Sequence, residues 1–305
     1  MIIGNFIINI MDKLKSIYFG FITLAHTIVS LFLVFIFNKK GIARKLKEMC
    51  KDRNGRPATI LANGPSLKHI LDNKRHLLED SDVLVLNNFG NQEVFFELRP
   101  TYYIVLDPAY YDINFRVDQE INADMSRSAE TQLMANLNKV DWPMTLLIPQ
   151  KALQIFQAHI KNDNIRFAIF QTTRVLGYDG FQNWMYKHNQ GVPSSRNVVF
   201  PAMINLINMG YKSIYLYGME FSWLKNMEVD PSNGLIIMND NHFYSKDEIR
   251  HFGKGYYKRM LNVMCEDINA TDQIAKYALY RNVKMINRTI GSFVDSFEYE
   301  NPDTL

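Results

Sequence analysis

The chain has 305 residues, 47% of them apolar and 21% charged, an ordinary globular balance that can bury one large core with or without a lid. A formal net charge of +3 is too small to imply a nucleic-acid partner, and the basic excess gathers near the N-terminus. Cys50 and Cys265, the two cysteines, stand far apart and in no metal-binding or redox spacing, so neither a disulfide framework nor a zinc site is expected and the compartment reads as reducing.

Residues Ile17 to Phe37 contain no Asp, Glu, Lys or Arg. A helix of about 20 such residues crosses a bilayer. His26 and the hydroxyls of Thr23, Thr27 and Ser30 dilute the run slightly. A cleaved signal peptide is the rival reading, but the run is long for one and no small-residue cleavage site follows, so an uncleaved anchor is expected. Lys13 and Lys15 precede it, whereas Lys39, Lys40, Arg44, Lys45, Lys47, Lys51, Arg53 and Arg56 follow it, which predicts a single pass with the body in the cytoplasm. The basic cluster would also sit on anionic headgroups, a reading compatible with a solvated linker. Residues 1–50 thus form an anchor with a basic juxtamembrane segment, and 51–305 one body whose core begins near Pro57.

Apolar, β-branched runs then alternate with amphipathic stretches, without repeats or a second linker, which predicts an α/β domain with a mostly parallel sheet. Strands are expected over Thr59 to Ala62, Val83 to Asn87, Tyr102 to Leu106, Thr145 to Ile148, Arg166 to Phe170, Ser213 to Tyr217 and Val283 to Ile286, with helices over Val198 to Met209 and Glu248 to Tyr280. Ligands of such sheets bind outside the carboxyl ends of the strands. That rule singles out Asn63 to Ser66, Asn87 and Asn88, Asp107 and Pro108, and Gly218 to Trp223.

Asn63-Gly64-Pro65-Ser66 breaks the first strand into a helix, the arrangement that presents backbone amides to a phosphate. In this reading Gly64 lets the backbone approach a ligand, Pro65 fixes one turn and Ser66 caps the helix. A plain strand-turn-helix junction explains the same letters about as well. Asn87 and Asn88 are weighed evenly between ligand contact and a simple turn. His242 lies in the polar turn Asn239-Asp240-Asn241-His242, where an imidazole is free to act as a base.

Taken together, Asn63-Gly64-Pro65-Ser66-Leu67, Asp82-Val83 to Asn87 with Phe89, Asp107-Pro108, Gly210 to Leu216 with Gly218 and Glu220-Phe221, and Asn239-Asp240 with His242 resemble the bacterial sialyltransferases of glycosyltransferase family 42 across about residues 57 to 290. The resemblance implies a Rossmann-like fold of the modified GT-A type with a small lid, anchored in the inner membrane. It also implies inverting, metal-independent transfer of a nonulosonic acid from a CMP-activated donor to a galactose-type hydroxyl of a surface glycan such as lipooligosaccharide or capsule. By resemblance His242 is the general base, Ala62 to Ser66 contact the cytidine nucleotide and Asn87 contacts the donor sugar. The chain departs from the family pattern at Ala62, where the family has glycine, and at Asp107, where it has asparagine. A carboxylate at Asp107 would face the donor's own negative charges unless it is protonated or turned to a hydroxyl. Ser222 and Trp223 stand nearest to the family's phosphate-binding tyrosines, with Tyr244 as a substitute from the lid. Ser194-Ser195-Arg196-Asn197 corresponds loosely to a Thr-Ser-Gly element, with Arg196 placed for phosphate and Asn197 beside it.

No metal or cofactor is expected. Asp80-Ser81-Asp82 reads as a solvated turn at the entering end of the second strand, away from the rim. No Walker loop, G-x-G-x-x-G or nucleophile elbow occurs, which argues against a P-loop kinase, a dinucleotide oxidoreductase and a serine hydrolase. The expected partners are a CMP-activated sugar, a glycan acceptor and the membrane, with self-association left open. Two alternatives remain, a pterin-diphosphokinase-like enzyme and a non-catalytic nucleotide-binding scaffold.

Overall fold

The computed structural model describes residues 2–38, 55–112, 123–239, 241–244 and 249–305. The basic run from Lys39 to Arg53, together with Cys50, Asp240 and the expected domain boundary at residue 50, lies outside them.

The body is a parallel sheet of eight strands: β1 (Ala58–Leu61), β2 (Asp82–Leu86), β3 (Tyr102–Ile104), β4 (Met144–Pro149), β5 (Ile165–Phe170), β6 (Ser213–Tyr217), β10 (Lys284–Asn287) and β11 (Glu298–Tyr299). Their spatial order is β11-β10-β6-β1-β2-β3-β4-β5. The seven strands expected from apolar runs are all present, displaced by a residue or two. β1, β2 and β4 are buried along their whole length, as strands covered on both faces must be.

Around the sheet lie α2 (Leu67–Asn73), α3 (Val94–Leu98), α4 (Ala123–Asn138), α5 (Leu153–His159), α6 (Asp179–Lys187), α7 (Val199–Met209) and α8 (Tyr256–Tyr280). All eleven residues of α7 are buried, and Gly210, in the left-handed region at φ 101°, ends it. A separate antiparallel sheet, β7 (Met227–Val229), β8 (Ile236–Asn239) and β9 (Ile249–His251), forms the lid. The helix expected from Glu248 therefore begins only at Tyr256. Ile249–His251 pairs with β8 instead, and Gly255 at φ 79° marks the break.

The N-terminal helix α1 (Ile2–Phe37) contains an apolar stretch, Met11–Phe37, long enough to cross a membrane. It does not stand apart from the body. Ser30 Oγ donates to the carbonyl of Leu176 and accepts from its amide, both at 2.9 Å. Tyr178 N–H donates to Thr27 Oγ1 at 3.2 Å, and Thr173 Oγ1 to Asn38 Oδ1 at 2.7 Å. Val34 joins the main apolar core. Thr27 and Ser30, two of the polar residues that dilute the apolar run, thus join Val34 and Asn38 in a docking stripe recurring every three or four positions along one helix face.

Candidate active site

From β1 the chain adds β2 to β5 on one side, then returns to place β6 and β10 on the other. The strand order reverses between β1 and β6, and a crevice opens outside the carboxyl ends of the strands there. A cleft of about 350 Å³ occupies it, lined by Asn63, Gly64 and Pro65 after β1, Asn87 after β2, Arg196 and Asn197 before α7, Ser222 and Trp223 after β6, and His242 from the lid. A second cavity of about 390 Å³ shares Asn87 and Arg196 with the first and reaches Asp107, Tyr111 and Lys151. The tertiary structure so brings together nearly every site residue expected from sequence; Ser66 and Tyr244 are not among the lining residues.

The glycine turn does a different job from the one expected. Gly64 N–H donates to Gly218 O at 2.9 Å, Leu67 N–H to Gly64 O at 3.2 Å, and Ser66 N–H to Glu220 Oε1 at 2.7 Å. These amides hold protein acceptors, not a phosphate. A Cβ on Gly64 would overlap Glu220 Oε2 and stand 2.5 Å from Gly218 O, so the glycine serves an approach of one loop to another. Ser66 is itself helical, at φ −64° and ψ −21°, and its side chain makes no capping bond. Burial raises the Glu220 carboxyl above its ordinary value, opposed by hydrogen bonds from Ser66 and by the charge of His242.

The histidine segment is pinned to the same loop. Phe243 N–H donates to Asn63 O at 3.1 Å, and its ring lies 5.1 Å from that of Phe89. His242 stacks on Tyr244, with ring centroids 5.1 Å apart. Tyr244 therefore supports the imidazole and does not line the cleft. Asn63 donates through Nδ2 to Leu86 O at 3.3 Å, while its buried Oδ1 has no partner. A buried amide oxygen is costly unless a donor meets it, which a ligand in this cleft can do.

Asn87 answers both of its readings. It sits at φ 43°, a turn position that asparagine tolerates, and its Oδ1 accepts from Leu106 N–H at 2.9 Å and Asp107 N–H at 3.3 Å. Its Nδ2 is the group it can offer the cleft. Asn88 belongs to the turn, its Oδ1 accepting from Asn91 Nδ2 and Tyr110. Asp107 caps the turn Pro108–Tyr110 by accepting from Ala109 N–H at 2.9 Å, and burial raises its pKa, which that bond opposes. Asn197 accepts from Val199 N–H at 3.1 Å, and Arg196, half exposed, places Nε 3.2 Å from Glu266 Oε2. Trp223 packs on Phe221 at 5.0 Å.

The lining also contains a buried acid that the sequence does not single out. Asp267 on α8 is only 3% exposed, lines the cleft, and has one carboxylate oxygen with no hydrogen-bond partner. Burial pushes its pKa up to about 7; Arg196 and Arg174 act against this and Glu266 with it. An acid among other acids of a long amphipathic helix carries no local signal. Asp80-Ser81-Asp82 also differs from expectation: Ser81 and Asp82 are buried, and Asp82 accepts from Tyr211 OH at 2.5 Å, far from the rim at the entering end of β2. Among the described residues no group of three or more His, Cys, Asp and Glu is placed to hold a metal ion.

No protein-family model matches the chain, and no curated protein matches its sequence. Among solved structures it is similar to a MAf glycosyltransferase from Magnetospirillum magneticum AMB-1, at 10% identity and a TM-score of 0.46. That similarity covers 88% of this chain and 40% of the other, so the chain spans less than half of that protein's length.

Proposed function

We propose that the protein is a glycosyltransferase that moves a nonulosonic acid from a CMP-activated donor to a sugar hydroxyl of a bacterial surface glycan, with inversion and without a metal or cofactor. The observation that carries this reading is the convergence of Asn63, Asn87, Arg196 and His242 on one cleft at the switch point of a parallel sheet. His242 takes the proton from the acceptor hydroxyl as that oxygen bonds to the anomeric carbon, and the opposite bond to phosphate breaks, its electron pair leaving with CMP. Glu220 lies close enough to feel the charge of His242 and fixes the turn beside it through Ser66 N–H. With the loop amides engaged, Arg196 and Asn87 Nδ2 supply the positive charge and hydrogen bonds that the departing phosphate needs. Asn63 Oδ1 and Asp267 accept from donor hydroxyl or amino groups, and Ser222 and Trp223 wall the site. The enzyme works at the cytoplasmic face of the inner membrane, held there by α1.

The test is a donor screen with the purified full chain, measuring release of CMP, UMP, UDP and GDP from sugar nucleotides with and without glycan acceptors. Acceptor-stimulated CMP release is the expected result. Release of another nucleotide overturns the donor, and metal-dependent ATP turnover with no sugar transfer moves the assignment to a diphosphokinase.

A further inference from the structure

The docking of α1 restricts how this helix can meet a membrane. Its contacts with the body run from Gly20, whose carbonyl accepts from Tyr178 OH at 3.3 Å, to Asn38, whose Nδ2 donates to Gln190 O at 2.5 Å. That separation is about 27 Å at 1.5 Å per residue, close to the roughly 30 Å of a hydrocarbon core. If α1 crossed the bilayer while docked, the peptide groups of 173–178 would lie at hydrocarbon depth. So would Arg174 and Lys151, which line a cavity together with Leu33 and Phe37 of α1. Irregular backbone and charge are not tolerated against lipid at that depth.

From Phe21 to Phe35 the face of α1 away from the body is apolar: Phe21 is 69% exposed, Ile28 59% and Phe35 85%. In sequence the uncharged stretch of the helix is bracketed by lysines, Lys13 and Lys15 before it and Lys39 and Lys40 after it. Both ends thus suit the headgroup level, where long basic side chains reach phosphate. Trp184 on α6, 54% exposed, and Tyr178 of the docking loop add aromatic side chains of the kind that favour the membrane interface.

We propose that α1 lies in the plane of an anionic phospholipid surface, its docked stripe against the body and its Phe21, Ile28 and Phe35 face sunk into one leaflet, so that the protein is monotopic. Lipid is the occupant that this face fits, because it is long, continuous, apolar and edged by basic residues at both ends. The attachment is independent of the transfer reaction, so its failure leaves the catalytic reading untouched and the reverse also holds.

Depth measurement on the full chain in vesicles of phosphatidylethanolamine and phosphatidylglycerol tests this. Cys50 and Cys265 are replaced by serine, and spin labels are placed in turn at Phe21→Cys, Ile28→Cys and Phe35→Cys. An in-plane helix puts all three at one shallow depth, roughly 5–10 Å into the leaflet, and an N-terminal tag is digested from the same side as the body. A spanning helix separates neighbouring labels by about 10 Å along the membrane normal and protects the tag, which overturns the proposal. Labels that never contact lipid, with the chain dimeric and the labels buried between copies, overturn it equally.

Discussion

The carboxylate of Glu220 accepts the backbone N–H of Ser66 at 2.7 Å, so the turn that sequence reserves for a ligand's anion already faces one from the protein. The charge of His242 acts on the same carboxylate. Glu220→Gln keeps an acceptor for Ser66 and removes the charge. Its kcat for transfer should fall about tenfold, equivalent to roughly 1.4 kcal/mol of transition-state stabilisation, with donor KM little changed. A large KM effect with normal kcat would assign Glu220 to the loop alone.

Gly64→Ala should destabilise the protein by roughly 1–3 kcal/mol, the usual range for overpacking, and weaken nucleotide binding, because the added methyl meets Glu220 and Gly218 O together. Thermal unfolding and nucleotide titration measure the two effects. A variant of wild-type stability would show that these loops are not in contact in solution.

His242→Gln should retain donor affinity while losing about 10²–10⁴-fold in turnover, the contribution of a positioned general base. Asn87→Ala should instead weaken the donor complex and lower stability, since Leu106 and Asp107 lose the acceptor of their amides. Equal losses in kcat for both would remove the distinction between base and binding residue.

Asp267 makes stability depend on pH in a stated direction. Its folded pKa, about 7, lies above the ordinary 3.8, so the folded state holds a proton that the unfolded chain releases, and stability falls as pH rises between those values. Each tenfold change in proton affinity is worth about 1.4 kcal/mol, which sets an upper limit near 4 kcal/mol. Asp267→Asn, which resembles the neutral acid, should therefore unfold at a higher temperature than the native protein at pH 8 and at the same temperature near pH 4. No gain at pH 8 would mean that Arg196 and Arg174 hold the carboxylate charged.

Ser30→Ala leaves the amide and carbonyl of Leu176 without their partner and should weaken docking of α1 by roughly 1–3 kcal/mol. Faster hydrogen exchange at the Leu176 amide, with the β1 and β6 amides unchanged, is the expected signature. Deletion of residues 1–50 should likewise leave a folded body with segment 173–178 loosened; aggregation would place α1 in the folding core.

Much of the architecture was legible in the chain because strands buried on both faces are mostly apolar, and the runs that became β1, β2 and β4 say so locally. The rim residues followed from the same periodicity, since a ligand rule tied to strand ends needs only the strand ends. The lid strands were not legible: Met227–Val229 and Ile249–His251 are three residues each, largely exposed, and paired only through β8. Nor could local pattern say what Gly64 accommodates, because Glu220 lies 156 positions away and meets it only where β6 settles beside β1. Asp267 enters the cleft, and Ser30 finds Leu176, by the same kind of long-range packing. Periodicity determined the main-sheet strands and the buried helix Val199–Met209, a property of neighbouring residues. The partner of each polar group was decided by the fold, because burial leaves such a group stable only where a distant segment brings the matching donor or acceptor.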